Sequence, residues 1–212
     1  MSGEAFDVVD QFEAKLAEFT GAPMVVAVAS CTWAIFLAMR YCLRHQWQTS
    51  RWGLEVEVPR YTFISVPMAV LMAGCQPKIV SREWQGCYQL NPLNVIDSAL
   101  QFNRGMYQPG SLQCISFHSR KILHIGRGGA ILTDDAHAYE WLRAARYCGR
   151  KKVDGYKVAS INSMGWQAYM LPEEAARGML LMEYIGDGEP DQEQKYPDLL
   201  EVEFFKERHH AK

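Results

Sequence analysis

Apolar residues recur in two different periods along the first part of the chain, and these periods predict a helix followed by a strand. Between residues 6 and 19 they return every three or four positions, which is the spacing of an amphipathic helix, and Gly21 provides a stop. Residues 24–28 (Met-Val-Val-Ala-Val) form a short unbroken apolar run. A run of this kind is typical of a strand buried on both faces of a parallel sheet.

The same alternation continues to residue 80, after which the predicted strands follow one another until the next helix at residue 135. The predicted helices cover residues 32–44, 63–73, 135–147 and 172–185, and the predicted strands cover residues 55–59, 77–80, 95–97, 113–117 and 129–133. Helices and strands in alternation indicate an α/β fold with a mostly parallel sheet flanked by helices. Only residues 81–94 separate the third strand from the fourth, which leaves marginal room for a crossover helix.

The composition changes at Gly186, where a polar run begins. We therefore expect residues 1–185 to form one α/β domain and residues 186–212 to form a polar linker with a short helical tail over 198–208. No internal repeat interrupts this division.

Bulk composition narrows the class of protein. The 212 residues are 49% hydrophobic with a formal net charge of −2, so neither a nucleic-acid partner nor a membrane-surface partner is expected. The first ten residues do not resemble a signal peptide, and no run is long enough to span a membrane. The six cysteines lack metal or disulfide spacing. We expect a reduced, cytoplasmic protein.

Several residues with chemical potential follow the predicted strands. Residues 29–32 (Ala-Ser-Cys-Thr) lie between a strand and a helix, where backbone amides converge on an anion. Asp97 ends a strand, at the edge where α/β sheets place ligands. Residues 116–121 supply Ser116 and Lys121, and Phe63 supplies a ring. Each also has a plain structural reading, as a helix cap, a turn former or a surface lysine.

A glycine-rich stretch, residues 126–129 (Gly-Arg-Gly-Gly), looks like a phosphate loop. No Gly-Lys-Ser/Thr follows it, so a tight turn between two strands is the better interpretation.

Taken in order, these segments resemble the DegT-type sugar aminotransferases, a family of fold-type-I enzymes that use pyridoxal 5′-phosphate (PLP). The segments that carry the resemblance are residues 12–21, 27–32, 58–63, 88–92, 95–99, 116–130 and 170–178. The resemblance implies an aspartate-aminotransferase-like large domain. Relative to the family pattern, about one strand-helix-strand unit is missing between Pro92 and Val95, and most of the small domain is absent.

The resemblance also implies roles for individual residues. Lys121 would bond to PLP and move the substrate's proton, and Asp97 would pair with the pyridine nitrogen. Thr32 and Ser116 would hold the phosphate, and Phe63 would pack on the ring.

This chain departs from the family pattern at several of the implied positions. Cys31 stands in the phosphate turn in place of the usual Gly. Leu100 stands where the family usually has Gln or His, and Arg127 stands where it usually has Glu. Gln167 and Tyr169 replace an Asn and an Arg; that Asn reaches the phosphate of a neighbouring subunit, so a homodimer is implied.

Three functions are compatible with these residues. The first is an aminotransferase that moves an amino group from glutamate or glutamine to a keto acceptor, by analogy a nucleotide-linked keto-sugar. The family's dehydratase branch has His at the lysine position, so Lys121 favours transamination. The second is a PLP enzyme that decarboxylates or eliminates on another amine, and the third is a non-catalytic relative that serves as a binding module.

Overall fold

Helices and strands alternate over residues 7–80 of the described structure, and strands then follow one another without an intervening helix up to residue 133. The structure is a computed structural model that describes residues 5–46, 53–150, 161, 163–186 and 188–210. In chain order the elements are α1 Asp7–Thr20, β1 Met24–Val28, α2 Cys31–Tyr41, β2 Glu55–Pro59, α3 Ser65–Met72, β3 Gln76–Val80, β4 Tyr88–Gln89, β5 Val95–Asp97, β6 Leu112–Ser116, β7 Gly129–Thr133, α4 Ala136–Ala145, α5 Pro172–Leu181 and α6 Glu203–His210. The predicted α/β class is confirmed.

The main sheet is mixed, and here the prediction of mostly parallel pairing needs correction. Its strands follow the order β1-β7-β6-β5-β4, while β2 and β3 form a separate parallel pair. β5 and β6 are parallel, but β7 is antiparallel to both of its neighbours and β4 is antiparallel to β5. Residues 117–128 and 90–94 contain no helix that could carry a crossover, so each connection returns the chain antiparallel.

Two layers of helices cover the two faces of the main sheet. Alternate residues of β1 show this, because Val26 and Val28 join the core beneath α2, whereas Val25 and Ala27 join the core beneath α1. A strand that is apolar on both faces carries no polar alternation. The continuous apolar run that predicted β1 therefore has its physical cause in this double burial.

An ion pair buried in the core fixes the edge strand β1. Glu13 accepts a hydrogen bond from the Ala27 N–H at 2.8 Å, and Arg146 donates to the Ala27 carbonyl at 2.6 Å. The Arg146 guanidinium also pairs with the Glu13 carboxylate. Because buried backbone groups must find partners, these two side chains complete the outer edge of β1 just before it delivers the residues of the site.

After α5 the chain returns across the carboxyl ends of the strands. Residues 188–198 lie against the loops that follow β2, β5 and β6, and Leu199 is buried. The tail that was predicted over 198–208 consists of a 3₁₀ turn, Leu199–Glu201, followed by α6. None of the helices among these described residues has the length and apolar character of a membrane span.

Candidate active site

A cavity of about 710 Å³ opens at the carboxyl ends of β1, β5 and β6. β1, β5 and β6 run in the same direction, because β7 is antiparallel to both β1 and β6 and β5 is parallel to β6. Residues that follow these strands therefore meet at one edge. Of the predicted site residues, those in the cavity wall are Cys31, Thr32, Phe63, Asp97, Ser116 and Lys121.

The start of α2 forms one corner of the cavity. Ser30 caps this helix and accepts a hydrogen bond from the Trp33 N–H at 3.2 Å. Thr32 Oγ1 donates to Ser65 Oγ at 2.8 Å, and Ser65 is the first residue of α3. Two helix N-termini and three hydroxyls thus converge on one corner. Free amides and the positive ends of helix dipoles make this corner suitable for an anion.

Gly129 allows β7 to lie directly against this corner. A Cβ atom at this position would lie 2.5 Å from the Cys31 backbone nitrogen and 2.6 Å from the Ser30 carbonyl carbon. Both are backbone atoms, so they cannot swing aside as a flexible side chain would. The glycine-rich stretch 126–129 is the turn that leads into β7, as the sequence predicted, and its last glycine sets the shape of the anion corner.

Asp97 lies at the bottom of the cavity and is 4% exposed. Its Oδ2 accepts a hydrogen bond from the Tyr88 hydroxyl at 2.7 Å, and its Oδ1 accepts one from the Ala99 N–H at 2.9 Å. The Tyr88 hydroxyl is also 2.6 Å from Thr62 Oγ1. Burial raises the pKa of Asp97, although these hydrogen bonds and the charge of Lys121 oppose the rise.

Lys121 faces the same cavity from the turn after β6. Its Nζ donates a hydrogen bond to the Tyr196 hydroxyl at 2.9 Å and lies 5.6 Å from the centroid of the Tyr196 ring. Burial lowers the pKa of Lys121, while the negative charge of Asp97 acts in the opposite direction. A lysine amine with a lowered pKa is more often neutral and therefore more nucleophilic.

The charges that line the cavity are mainly positive. Four cationic side chains contribute to its wall, Arg120, Lys121, Arg127 and Lys195, against two acidic ones, Asp97 and Glu193. Cys31 does not add a thiolate, because burial and the nearby Asp97 raise its pKa well above the ordinary value. Cys31 at the helix start therefore stays a neutral thiol at neutral pH.

The aromatic rings of Phe63, Trp84 and Tyr196 line the described cavity. Tyr196 lies 5.9 Å from Phe63 and 6.3 Å from Trp84 between ring centroids, and its plane is within 16° of the Trp84 plane. Sequence reasoning assigned no role to Trp84 or Tyr196. Tyr196 had one signal, since it is the single aromatic residue between Tyr184 and Phe204 in an otherwise polar stretch.

Gln167 lies outside the cavity wall, unlike the other predicted site residues. Its side chain is exposed and donates to the Tyr169 hydroxyl at 3.3 Å. The neighbouring Ala168 carbonyl accepts a hydrogen bond from the Ala29 N–H at 2.8 Å. Gln167 is therefore held beside the end of β1, on the outer surface next to the anion corner.

Comparison with known proteins agrees with this architecture. The fold is shared with solved aminotransferases, and the sequence model of the DegT/DnrJ/EryC1/StrS aminotransferase family matches residues 4–95 and 103–195. The chain belongs to this family.

Individual relatives are distant and longer. The chain is 23% identical over 229 residues to the spore coat polysaccharide biosynthesis protein SpsC of Bacillus subtilis, covering 84% of this chain and 57% of SpsC. The sugar aminotransferase CalS13 of Micromonospora echinospora matches with a TM-score of 0.65 and 19% identity, over 84% of this chain and 60% of CalS13. PseC of Helicobacter pylori, an aminotransferase involved in the biosynthesis of pseudoaminic acid, matches with a TM-score of 0.68 and 17% sequence identity. The match covers 87% of this chain and 58% of PseC. The chain thus spans a little over half the length of these relatives.

Proposed function

We propose that the protein is a PLP-dependent aminotransferase. The observation that carries this proposal is the convergence of Lys121 and Asp97 on one cavity, next to the paired N-termini of α2 and α3. Each of these features has an ordinary structural explanation when taken alone. Together they match the chemical needs of this cofactor: an amine, a carboxylate and an anion corner.

The residues present fit PLP in charge and in hydrogen-bonding capacity. A carboxylate has about four acceptor positions, and Asp97 uses two of them within the protein. A protonated pyridine nitrogen would supply a positive partner in direct hydrogen-bonding contact with the buried carboxylate. The hydroxyl-bearing residues Thr32, Ser65 and Ser116 all line the cavity in which a phosphate would be held.

Each side chain would have a defined task in this proposal. PLP, when bound, supplies a ring that accepts electrons from the substrate carbon next to the nitrogen. Asp97 would keep the ring nitrogen protonated, and Phe63 would offer an aromatic face to the ring. Lys121 would hold the cofactor, and its amine would move a proton to and from the substrate carbon. Cys31 and Thr32 would contribute the α2 amides that bind the phosphate.

We propose glutamate or glutamine as the amino donor and a nucleotide-linked keto-sugar as the acceptor. Arg120, Arg127 and Lys195 give the cavity the cationic lining that a carboxylate or a diphosphate requires. CalS13 is a sugar aminotransferase and PseC is an aminotransferase of pseudoaminic acid biosynthesis, which supports a sugar as the acceptor.

We further propose that a second copy of the chain contacts the site at Gln167, in a homodimer. The exposed position of Gln167, next to the end of β1, supports this role. We propose that residues 1–185 form the PLP-binding domain and that residues 186–212 form a polar linker with a short C-terminal tail.

Absorbance spectroscopy tests the proposed function. Purified protein incubated with PLP is expected to absorb visible light, to lose that band when glutamate or glutamine is added, and to regain it with a keto acceptor. Lys121→Ala is the control that should fold and show no such cycle. A bound cofactor that is indifferent to both donors would point instead to decarboxylation or elimination on another amine. A chain that does not bind PLP would point to a binding module.

A further inference from the structure

Residues 188–198, which we name the strap, form part of the cavity wall and are attached to the rest of the protein at both ends. At the near end, Gln192 donates through its N–H to the Leu100 carbonyl at 2.9 Å and through its side chain to the Arg120 carbonyl at 3.1 Å. Asn103 donates to Asp191 at 2.9 Å. These bonds tie the strap to the loops that follow β5 and β6.

The far end of the strap is tied to the loop after β2. Asp198 accepts two hydrogen bonds of 2.8 Å from the Nε of Arg60, and the Leu199 N–H donates to the Arg60 carbonyl at 3.0 Å. Leu199 and Phe205 are buried beyond this point, so the chain after the strap is packed into the core. The part of the strap between the two attachments carries Tyr196.

Tyr196 is the strap residue that contacts Lys121. Its hydroxyl accepts the 2.9 Å hydrogen bond from Nζ, while its ring centroid lies 5.9 Å from that of Phe63 and 6.3 Å from that of Trp84. Contacts with two other rings restrict the rotation of the phenol. The lysine side chain, by contrast, has four rotatable bonds and finds its direction only through a fixed partner.

We propose that Tyr196 is a positioning residue for Lys121. The strap holds the phenol against the amine, the hydroxyl fixes the direction of Nζ, and the ring keeps water away from it. This inference rests on the proposed function, because a lysine that bonds to a cofactor must be neutral and held within reach of the carbonyl carbon. The strap, which lies in the polar segment predicted as a linker, would then be part of the active site.

Burial is the largest influence on the pKa of Lys121, and the Tyr196 ring is part of the cavity wall around this amine. Other charges also reach this amine. The titratable groups that face it are Asp97 from β5, Cys31 from α2, Arg120 from its own turn and Tyr196 from the strap, with His118, Arg127, Glu193 and Lys195 in the same cavity wall. Substitutions at Tyr196 leave the rest of this set in place, so a change in the titration of Lys121 reports on the phenol.

Site-resolved acetylation of the cofactor-free full chain tests the role of Tyr196. The acetylation rate of each lysine is measured with acetic anhydride and peptide mass spectrometry, across the pH range in which lysines titrate. Lys78, on the surface of β3, serves as the internal reference. The variants are Tyr196→Phe, which keeps the ring, and Tyr196→Ala, which removes it. Tyr184→Phe is the matched control, since Tyr184 is 80% exposed and lies outside the cavity wall.

Two results are expected. In Tyr196→Phe, Lys121 is acetylated about fivefold faster at high pH, as the loss of one hydrogen bond to Nζ allows. In Tyr196→Ala, water reaches the ammonium form, so the pH midpoint for Lys121 rises above that of the wild type, whereas in Tyr196→Phe it does not. Lys78 is unchanged in both variants, and Tyr184→Phe leaves both lysines at wild-type rates.

Wild-type rates and midpoints for Lys121 in both Tyr196 variants would overturn this role, and so would a change shared equally by Lys78. The experiment contains no PLP, so its outcome is separate from the proposed function. If PLP is later trapped on Lys121 while acetylation is insensitive to Tyr196, the aminotransferase proposal stands and the positioning role is removed. If acetylation of Lys121 depends on Tyr196 as expected but PLP is never trapped, the positioning role stands and the aminotransferase proposal is removed.

Discussion

At the scale of single residues, the cavity keeps a carboxylate at a cost to the stability of the fold. Asp97 is buried, its pKa is raised from 3.8, and Lys121 is the cation that opposes the rise. The native state therefore binds the Asp97 proton more tightly than the unfolded state does. Ionised Asp97 destabilises the cofactor-free protein at neutral pH, and this penalty fades as the pH falls through the folded pKa towards the unfolded value.

Asp97→Asn is expected to stabilise the cofactor-free chain and to weaken PLP binding. The new amide can donate to the Tyr88 hydroxyl and accept from the Ala99 N–H, so the neighbouring hydrogen bonds survive without a buried charge. Thermal melts should show a higher Tm for the variant at neutral pH and a smaller difference in acid. The dissociation constant for PLP should increase about tenfold to a hundredfold, as expected for the loss of a charge-assisted hydrogen bond.

Glu183→Gln is the control for this pair of measurements, since Glu183 lies on the surface and pairs with Lys15. It should leave the affinity for PLP unchanged. An Asp97→Asn chain that binds PLP as tightly as the wild type would show that another group faces the ring nitrogen.

The sequence could predict the positions of those site residues that lie at the end of a strand. Asp97 ends β5 and Ser116 ends β6, so an apolar run followed by a polar residue was enough to place them at the sheet edge. Tyr196 lies 75 residues from its partner Lys121 in a polar stretch without periodicity. Nothing local in such a stretch indicates that it folds back over the cavity.

At the scale of elements, the site depends on how closely β7 approaches the start of α2. Ser30 forms a bridge with Gly128, and the next residue, Gly129, leaves no space for a side chain against the Cys31 nitrogen. The geometry of the anion corner is therefore set by two glycines of the turn between β6 and β7.

Gly129→Ala is expected to destabilise the fold by about 1–3 kcal/mol, as is typical when atoms are added to a packed region. It should also weaken PLP binding, because the start of α2 must move. Chemical denaturation and PLP titration measure the two effects. Gly188→Ala is the control, since its Cβ would meet nothing within 4 Å. Equal stability and equal PLP affinity for Gly129→Ala and Gly188→Ala would refute the account of this corner.

Most element positions follow from local pattern, whereas strand direction does not. β1 and β7 have the predicted limits, because both are apolar runs bounded by turn residues. A run buried on both faces looks the same in either direction, so the antiparallel placement of β7 was not visible in the sequence. β4 has two residues, which is too short for a periodic signal.

At the scale of the whole molecule, ligand binding and association with a second copy are expected to stabilise the protein together. PLP that binds only the native state adds about 2.7 kcal/mol at a concentration 100 times its dissociation constant. This is a large part of a typical unfolding free energy of about 5–15 kcal/mol. Gln167 is exposed beside the anion corner, where a second copy could complete the phosphate contacts.

We therefore expect a dimer whose Tm increases with PLP and with protein concentration. Gln167→Ala should reduce both the PLP-induced rise in Tm and the dimer affinity measured by sedimentation. Gln89→Ala is a suitable comparison, since Gln89 lies in β4 and is absent from the cavity wall. A stable monomer whose melting is indifferent to PLP would remove this mechanism and favour the binding module.

The most direct test of the aminotransferase proposal is to trap the cofactor on the protein. The chain is incubated with PLP, reduced with borohydride, digested and mapped by mass spectrometry. We predict a phosphopyridoxyl group on Lys121, at one per chain, and none on any lysine in Lys121→Ala. A label that maps to a different lysine, or that survives unchanged in Lys121→Ala, would contradict the assignment of this cavity as a PLP site.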